Sequence, residues 1–594
     1  MGTTALRAAT VFACALATAL VPPSATAQSG APRVLRLPMP ADVETLDPAR
    51  AGDLSTLTAI APLYHQLLAY DLVARPVRLV PYAAEAMPTI SADRRTYTIR
   101  IRRGLLFAPH PAFGGQPREL VAQDFVYSWL RVAEPAYSSM SWSALEGLIE
   151  GLDERVARAR RESRPLDAAA PVAGLRAVDR YTLEIRLTRP DPTFVYNLAY
   201  AGLSAVPREV VDAEGAEFAR RPVGSGPYRA VRFQPATRLD VERNPSFTPV
   251  PWEAFAPNAP ADHPATRAMR GRKIPVLDRV ELVRIPEPST AVLSLVRGEV
   301  DMVAYARPPL VFDGAELKPD LRAAGVRAER APDQGMYLLL FNLRDPVVGG
   351  LAPERVALRR AISMAIDDTA WLRTFDQGVG SVRQHVVRPN VVGHDPAYRN
   401  PNGYAPATAN ALLDRMRYAR GSDGWRRRPD ATPLELRVII GTTSESRRLA
   451  EFVKRSFDAI GLKVAFDSMP GGDRLKKLAN CQHQITTMTF GGGAPDGTSP
   501  MENFHGSKIG TVNFSCYGND DYDRVYERLR LMDPGPGRAP LFAELTALLD
   551  SHAPARILPA ADEVTLVGPR VAGFAMNPYL PLPYHLLDVA PAAR

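Results

Sequence analysis

Hydrophobic positions along the chain follow two periods, one typical of β-strands and one typical of α-helices. Tyr97–Ile101 and Tyr181–Leu187 alternate apolar with polar residues, which predicts half-buried strands. Other segments place apolar residues three and four positions apart, which predicts amphipathic helices. The helices predicted in this way are Leu54–Tyr70, Ala122–Val132, Trp142–Arg161, Thr290–Arg297, Pro353–Phe375, Ser444–Ile460, Tyr522–Leu531 and Ala539–Ser551.

Strands and helices alternate through much of the carboxyl-terminal half. A strand at Leu434–Ile440 precedes the helix at Ser444–Ile460, and a second strand follows at Lys463–Ser468. This β-α-β order favours a parallel or mixed sheet covered by helices, so the predicted fold class is α/β. The late strand at Glu563–Val567 and a short one at Phe574 would have to return to an earlier sheet.

The amino-terminal segment has the pattern of a secretory signal peptide. Arg7 precedes an apolar stretch at Ala8–Val21, and Ala25–Ala27 provides small residues for cleavage. The apolar stretch is too short for a stable membrane span. We expect cleavage after Ala27 and secretion, with lipidation at Cys14 as a minor alternative.

Composition and charge limit the classes of function. The chain has 594 residues, of which 46% are hydrophobic, so we expect several ordered lobes. Its net charge of +8 comes from basic residues spread along the sequence, and the densest basic runs, Arg158–Arg161 and Arg426–Arg428, are not interleaved with exposed aromatic residues. That distribution indicates an arginine-rich solvated surface rather than a nucleic-acid site.

Motifs of common enzyme and metal sites are missing from the sequence. It contains no HExxH, CxxC, GxSxG or phosphate-loop motif, so neither an enzyme nor a cofactor nor a metal site is predicted. Two cysteines follow the signal segment, Cys481 and Cys516. In an oxidising compartment such a pair is most simply a disulfide.

One acidic residue stands out for its isolation. Asp496 is the only formally charged residue between Leu478 and Met501 if His483 is neutral, and it follows a predicted strand that ends at Phe490. A buried carboxylate needs a cationic partner, which here is either a distant side chain or the ammonium group of a ligand. A turn-capping role for Asp496 is the alternative.

The order of several short motifs resembles the extracytoplasmic solute-binding proteins of ABC importers, family 5, the peptide, opine and nickel group. Each motif is weak alone, and their order together is specific. The segments that carry the resemblance are VETLDPAR (Val43–Arg50), YHQLLAYD (Tyr64–Asp71), Arg78–Phe107, LVAQDFVYSWLRV (Leu120–Val132), GSGPYRAVRF (Gly224–Phe233), ERNPSF (Glu242–Phe247), FNLRDP (Phe341–Pro346) and VALRRAISMAID (Val356–Asp367).

The resemblance implies a two-lobed fold like that of the type II periplasmic binding proteins, with an extra subdomain in the first lobe. On this basis we expect a signal peptide at 1–27, lobe I at 28–305 with an inserted subdomain at about 55–215, lobe II at 306–550, and a return to lobe I at 551–594. The implied function is capture of a small solute, most simply an oligopeptide, by lobe closure in the periplasm. The expected partners are permease subunits in the inner membrane, and the protein is expected to be a monomer that binds no nucleic acid.

The resemblance also indicates which residues line the cleft. In peptide-binding members, an Asp after a second-lobe strand pairs with the ligand's ammonium, and Asp496 takes the similar position here. Phe490 stands where the family usually has Trp, and Gly497 where it has an aromatic residue, which indicates a roomier cleft or another ligand class. Arg383 is the expected carboxylate-binding cation, with Arg388 and His385 nearby, and Tyr337 and Tyr64 are further candidates that are more often core residues.

Three alternatives stay open at this point, one of which is a receptor-like or chaperone role without transport. The same scaffold could bind a non-peptide solute such as a sugar, an opine, a metal chelate or a haem-like ligand. A secreted hydrolase is the alternative from another class, and the missing catalytic motifs argue against it. Gly224, Gly226 and Pro227 are expected to shape a turn near the hinge without touching ligand.

Overall fold

The structure, a computed structural model, describes residue 2 and residues 31–39, 41–167, 170–491, 493–580 and 582–590. Apart from Gly2, the predicted signal peptide lies outside these residues. The strands are β1 (Val34–Met39), β2 (Leu68–Tyr70), β3 (Leu79–Pro81), β4 (Thr89–Ile90), β5 (Thr96–Arg100), β6 (Leu175–Asp179), β7 (Thr182–Arg186), β8 (Tyr228–Gln234), β9 (Arg238–Arg243), β10 (Val250–Pro251), β11 (Lys273–Ile274), β12 (Arg279–Arg284), β13 (Met302–Val303), β14 (Phe312–Asp313), β15 (Glu316–Leu317), β16 (Arg327–Pro332), β17 (Met336–Phe341), β18 (Gly380–Ser381), β19 (Glu435–Ile440), β20 (Lys463–Ser468), β21 (Ile485–Phe490), β22 (Ala555–Ile557), β23 (Ala560–Val567), β24 (Val571–Ala572) and β25 (Asp588–Val589).

Helices are interspersed with these strands along the whole described chain. They are α1 (Leu54–Ile60), α2 (Ala122–Val132), α3 (Leu152–Glu162), α4 (Phe194–Asn197), α5 (Arg208–Glu214), α6 (Pro264–Met269), α7 (Pro288–Val296), α8 (Pro308–Val311), α9 (Pro319–Ala323), α10 (Pro353–Met364), α11 (Asp368–Asp376), α12 (Pro406–Arg415), α13 (Ser444–Ala459), α14 (Gly471–Ala479), α15 (Thr498–Glu502), α16 (Asp520–Arg530) and α17 (Ala539–His552). Short 3-10 turns connect several of them. Within the described part of the chain, no helix is both long and apolar enough to cross a membrane.

The first lobe consists of β1–β12, α1–α6 and residues 567–590. Its two larger sheets have the strand orders β1-β12-β9-β8 and β4-β5-β7-β6. One continuous apolar core joins them, and Val567, Tyr584 and Val589 from the end of the chain belong to that core. The carboxyl-terminal residues are therefore an integral part of the first lobe.

The second lobe spans residues 333–558 and is built on the sheet β20-β19-β21-β17-β22. Alternate residues of β17 serve two separate apolar cores: Leu339 packs with helices α10, α12 and α13, whereas Leu338 packs with α16 and α17. This follows from the two-residue period of a strand. β19 and β20 run parallel from Glu435↔Lys463 onward, which confirms the predicted β-α-β unit.

A third sheet lies at the junction of the two lobes. Its order is β13-β23-β16, with β18 also pairing with β23, and we call it the junction sheet. β16 and β23 pair antiparallel over six residues, from Arg327↔Val567 to Pro332↔Asp562. The chain crosses between this sheet and the second lobe at 333–335 and again at 558–559. β23 is thus the late strand predicted to return to an earlier sheet. The short strand predicted at Phe574 does not form, and the nearest strand, β24, ends at Ala572.

Two predicted helices are shorter than the hydrophobic period indicated. The helix expected over Leu54–Tyr70 ends at Ile60, and its last residues form β2 instead. Tertiary contact overrides the local pattern here, because the N–H of Gly226 donates to the carbonyl of Leu63 (3.0 Å). The helix expected over Trp142–Arg161 begins only at Leu152, since Gly147 and Gly151 adopt left-handed φ angles of 72° and 78°.

The predicted helix over Pro353–Phe375 is divided into α10 and α11. Asp367 causes the break, because its side chain caps α11 by accepting the backbone N–H of Ala370 at 2.9 Å. By contrast, the predicted disulfide between Cys481 and Cys516 is confirmed. It closes a loop that contains the strand β21 and the residues that follow it.

Candidate functional site

Asp496 has a protein partner that lies far away in the sequence. The side chain is fully buried, and its two oxygens accept hydrogen bonds from the guanidinium of Arg538 at 2.6 and 2.8 Å. Its Oδ1 also accepts from the N–H of Thr498 at 2.9 Å and from that residue's hydroxyl at 2.7 Å. Asp496 therefore forms both an ion pair with a distant side chain and a local turn, the two roles within the protein that the sequence left open. Direct contact between Asp496 and a ligand stays a prediction.

Arg383 and Arg388 are buried in the segment that follows β18. Their exposed fractions are 6% and 3%. Arg383 donates one hydrogen bond, to the carbonyl of Asp333 at 2.8 Å, while its Nε and Nη1 find no acceptor among the described residues. Arg388 donates to the carbonyl of Gln334, and its Nε is likewise unpaired within the described chain. Burial lowers the pKa of both guanidinium groups.

The two arginines hold the crossing segment 333–335 between β16 and β17. From the same segment Gln334 accepts a hydrogen bond from the hydroxyl of Tyr579 at 3.3 Å. Tyr579 belongs to the first lobe and lies against Tyr70, with ring centroids 5.6 Å apart. This arrangement brings side chains of both lobes to the edge of the junction sheet.

Carboxylates surround the same place. Asp333 lies on the crossing segment, and Asp562 and Glu563 lie on β23, where Asp562 pairs with Pro332 and Glu563 with Ala331. Burial, reinforced by the charge of Asp333, raises the pKa of Glu563 to about 7. Burial also raises the pKa of Asp562. We call the set Arg383, Arg388, Glu563, Tyr337 and Tyr579 the junction site.

The sequence-predicted residues occupy different positions around this site. Tyr337 is half-buried at the start of β17, and burial together with nearby Asp333 raises its pKa to about 12. Phe490 ends β21 opposite Met336, and the carbonyl of the next residue lies 3.5 Å from Nη1 of Arg388. Tyr64 lies elsewhere, fully buried in the first-lobe core with its hydroxyl donating to the carbonyl of Leu46 at 2.8 Å.

Sequence reasoning missed Glu563, Arg538 and Tyr579. Glu563 and Asp562 interrupt an otherwise mainly apolar strand, AADEVTLV. Two adjacent carboxylates in such a strand are unusual and could have indicated a functional site. Arg538 had no such signal, because it lies 42 residues from Asp496 in a Gly- and Pro-rich turn. Three-dimensional folding alone joins that pair.

Comparison with known proteins identifies a match over most of the chain. The sequence model for "Bacterial extracellular solute-binding proteins, family 5 Middle" matches residues 78–511. The dipeptide-binding protein of Escherichia coli K12 is 23% identical over 532 residues, which cover 87% of each chain. Heme-binding protein A of Haemophilus influenzae is 23% identical and covers 82% of this chain and 80% of that protein.

Solved structures share the architecture. The periplasmic binding protein DppA of Helicobacter pylori, in complex with the peptide STSA, superposes with a TM-score of 0.63 at 19% identity. The superposition covers 94% of this chain and 98% of that chain. This likeness confirms the predicted two-lobed α/β fold.

Proposed function

The chain belongs to family 5 of the bacterial extracellular solute-binding proteins, and from this premise we propose that it is the receptor of an ABC importer that captures peptides between its two lobes. The junction site is the proposed centre of binding. Peptide-binding relatives, such as the dipeptide-binding protein of Escherichia coli, support the cargo class.

The strongest support for this proposal is the buried side chain of Arg383. Two of its N–H groups are buried without an acceptor among the described residues, and leaving such groups unpaired is costly. The two groups point to opposite sides of the guanidinium, so a carboxylate of the ligand would accept a charge-assisted hydrogen bond from one of them. Arg388 adds a second positive charge beside it, and Tyr337 and Phe490 provide aromatic surface at the ends of β17 and β21.

Asp496 stays a proposed contact, with a role that its partner constrains. Its oxygens already accept four hydrogen bonds, from Arg538 and Thr498. A hydrogen-bond donor of the ligand, such as a peptide N–H, would therefore add to this ion pair rather than replace a missing partner. Tyr64 would contribute from the core, by holding the first-lobe backbone near the hinge.

The junction sheet provides a physical basis for lobe closure. The segments 333–335 and 558–559 join it to the second lobe, and β18 adds a further link by pairing with β23, so small backbone changes at these links would rotate one lobe against the other. A ligand stabilises the closed form only through contacts that the open form lacks. The predicted lobe boundaries after residues 305 and 550 stay predictions.

Delivery and location complete the proposal. We propose that the protein is exported, that its signal peptide is removed after Ala27, and that it acts in the periplasm as a monomer without chemical turnover of its cargo. The closed, loaded form would dock on permease subunits in the inner membrane. Related proteins are named as periplasmic, such as the oligopeptide-binding protein OppA of Haemophilus influenzae.

Calorimetric titration with short peptides and their carboxyl-terminal amides tests this function. We expect the free-acid peptides to bind and the amides to bind at least about 30-fold more weakly, since one charged partner is removed. Arg383→Gln should weaken the free acids to a similar degree and leave the amides nearly unchanged. Arg437→Gln is the matched control, because Arg437 lies on the same lobe but is exposed.

Thermal unfolding without ligand checks that each variant is folded. Equal affinity for acids and amides would contradict the role of Arg383. Binding of another solute, with no heat from any peptide, would contradict peptide capture itself.

A further inference from the structure

Glu563 is the carboxylate of the junction site that lacks a cation. Its Oε2 is buried and accepts no hydrogen bond from the described residues. Within the described chain it also forms no ion pair with Arg or Lys, although Arg383 and Arg388 lie in the same site. Asp496 differs, because Arg538 already neutralises it.

We propose that Glu563 binds the α-ammonium group of the peptide, and that the apolar groove beside Tyr305 receives the side chain of the peptide's first residue. This inference rests on the proposed function, which it deepens by naming the amino-terminal determinants of the ligand. It assigns the ammonium to β23 of the junction sheet rather than to the loop after β21.

The electrostatic surroundings of Glu563 favour a cation. Asp333 faces it from the crossing segment, and its charge reinforces burial in raising the pKa of Glu563 to about 7. A backbone hydrogen bond at Gln334 acts in the opposite sense. A ligand ammonium would restore the ordinary preference for the ionised carboxylate, because an opposite charge nearby favours the charged form.

Several other titratable or charged groups lie beside Glu563 or beside its neighbours Asp333 and Asp562. They are Tyr305 after β13, Arg330 on β16, Asp333 on the crossing segment, Arg383 and Arg388 after β18, Asp562 on β23, and Tyr579 near the carboxyl terminus. The carboxylates and the two arginines make the site dipolar. A zwitterionic ligand matches that distribution.

An apolar groove adjoins Glu563 on the first-lobe side. Tyr305 links the two features, because it lines the groove while the N–H of the next residue, Ala306, donates to the carbonyl of Val564, the neighbour of Glu563, at 2.9 Å. Leu54 and Tyr305 are 54% and 38% exposed, and the groove has a volume of about 130 Å³. Its other walls include Thr58, Ile285 and Val292.

The backbone of Tyr305 supports a functional reason for this exposure. Its φ of 56° lies in the left-handed region, which a bulky residue adopts only when its surroundings impose it. Tyr305 contributes an aromatic side chain to the lining of this apolar groove, next to the strand β23 that carries Glu563. An apolar side chain next to an ammonium group is complementary to both features.

Calorimetry with matched tripeptides tests the proposal. Leu-Ala-Ala is compared with N-acetyl-Leu-Ala-Ala, which lacks the ammonium, and with Asp-Ala-Ala, which lacks the apolar side chain. We expect wild-type protein to bind each of the two altered peptides about tenfold or more weakly. In Glu563→Gln the difference between free and acetylated peptide should vanish, whereas Glu329→Gln, on the neighbouring strand β16, should retain it.

The pH dependence provides a second readout. Since Glu563 in the free protein ionises near pH 7, wild-type affinity for Leu-Ala-Ala should rise from pH 5.5 to pH 7.5. The acetylated peptide and Glu563→Gln should both lack this rise. Ser55→Phe, which narrows the groove, should reduce the preference for Leu over Asp and leave the effect of acetylation intact.

The outcomes separate this inference from the proposed function. If free and acetylated peptides bind wild-type protein equally, or Glu563→Gln keeps the wild-type ratio, the inference fails and peptide capture stands. Loss of the ratio in Asp496→Asn with retention in Glu563→Gln would assign the ammonium to Asp496. If no peptide binds, the proposed function fails and this inference fails with it.

Discussion

Asp496 and Glu563 are two carboxylates that differ in their protein partners. Asp496 is fully buried and forms a two-bond ion pair with Arg538. Glu563 has no ion-pair partner in the described chain, and burial raises its pKa to about 7. Asp496 therefore has a counter-charge within the protein, whereas Glu563 has none among the described residues.

Removing one partner of the Asp496–Arg538 ion pair should destabilise the fold more than removing both. Asp496→Asn leaves the buried guanidinium of Arg538 without a counter-charge, which should lower the free energy of unfolding by about 3–5 kcal/mol. Arg538→Met alone should have a similar effect. The double variant should recover a large part of the loss, because two well-packed neutral groups avoid the cost of an unpaired charge.

Urea unfolding of the single and double variants measures this coupling. Asp523→Asn is a suitable control, because Asp523 is partly exposed and lies on α16 outside the pair. Additive effects of the two single changes would show that the pair contributes little. The sequence indicated that Asp496 needs a partner, but not which one, because the two residues are brought together by long-range folding.

At the scale of elements, the first lobe depends on one close approach between two turns. A Cβ atom at Gly224 would lie 1.9 Å from the carbonyl oxygen of Leu63, and one at Gly226 would lie 2.5 Å from that of Pro62. The same contact ends the helical region that begins at α1. The Gly224–Pro227 turn was predicted from sequence, and its effect on the predicted helix over Leu54–Tyr70 was not.

Gly224→Ala tests this packing. We expect the substitution to lower the free energy of unfolding by about 1–3 kcal/mol or more, because backbone must move to admit the methyl group. The matched control is Gly472→Ala in α14, where nothing lies within 4 Å and Ala should stabilise the helix by about 0.5 kcal/mol. Equal effects in urea unfolding would contradict a close approach at Gly224.

At the scale of the whole molecule, the junction sheet organises the two lobes. It combines residues near 302, 330, 380 and 564, which are far apart in the sequence. Local hydrophobic periods predicted a strand at Glu563–Val567, within β23, and the β-α-β unit of the second lobe, because those signals are short-range, whereas β16 was not predicted. They could not predict which distant strands pair, and hence where the junction site forms.

The candidate site was predictable to the extent that its residues carry local signals. Arg383 and Tyr337 were selected by resemblance to the family, and the structure places both beside Asp333. Glu563 and Tyr579 come from the returning carboxyl-terminal segment, whose position depends on the complete fold. The family resemblance indicated which residues line the cleft. Which of their charges lack a partner within the protein depends on burial and ion pairing in the complete fold.

The central claim is that the protein captures a peptide at the junction site, and native mass spectrometry of the purified protein tests it most directly. The account predicts a bound species whose mass and fragmentation are those of short peptides, present in wild-type protein and depleted in Arg383→Gln. A bound tetrapyrrole, saccharide or metal chelate in place of a peptide would contradict the account.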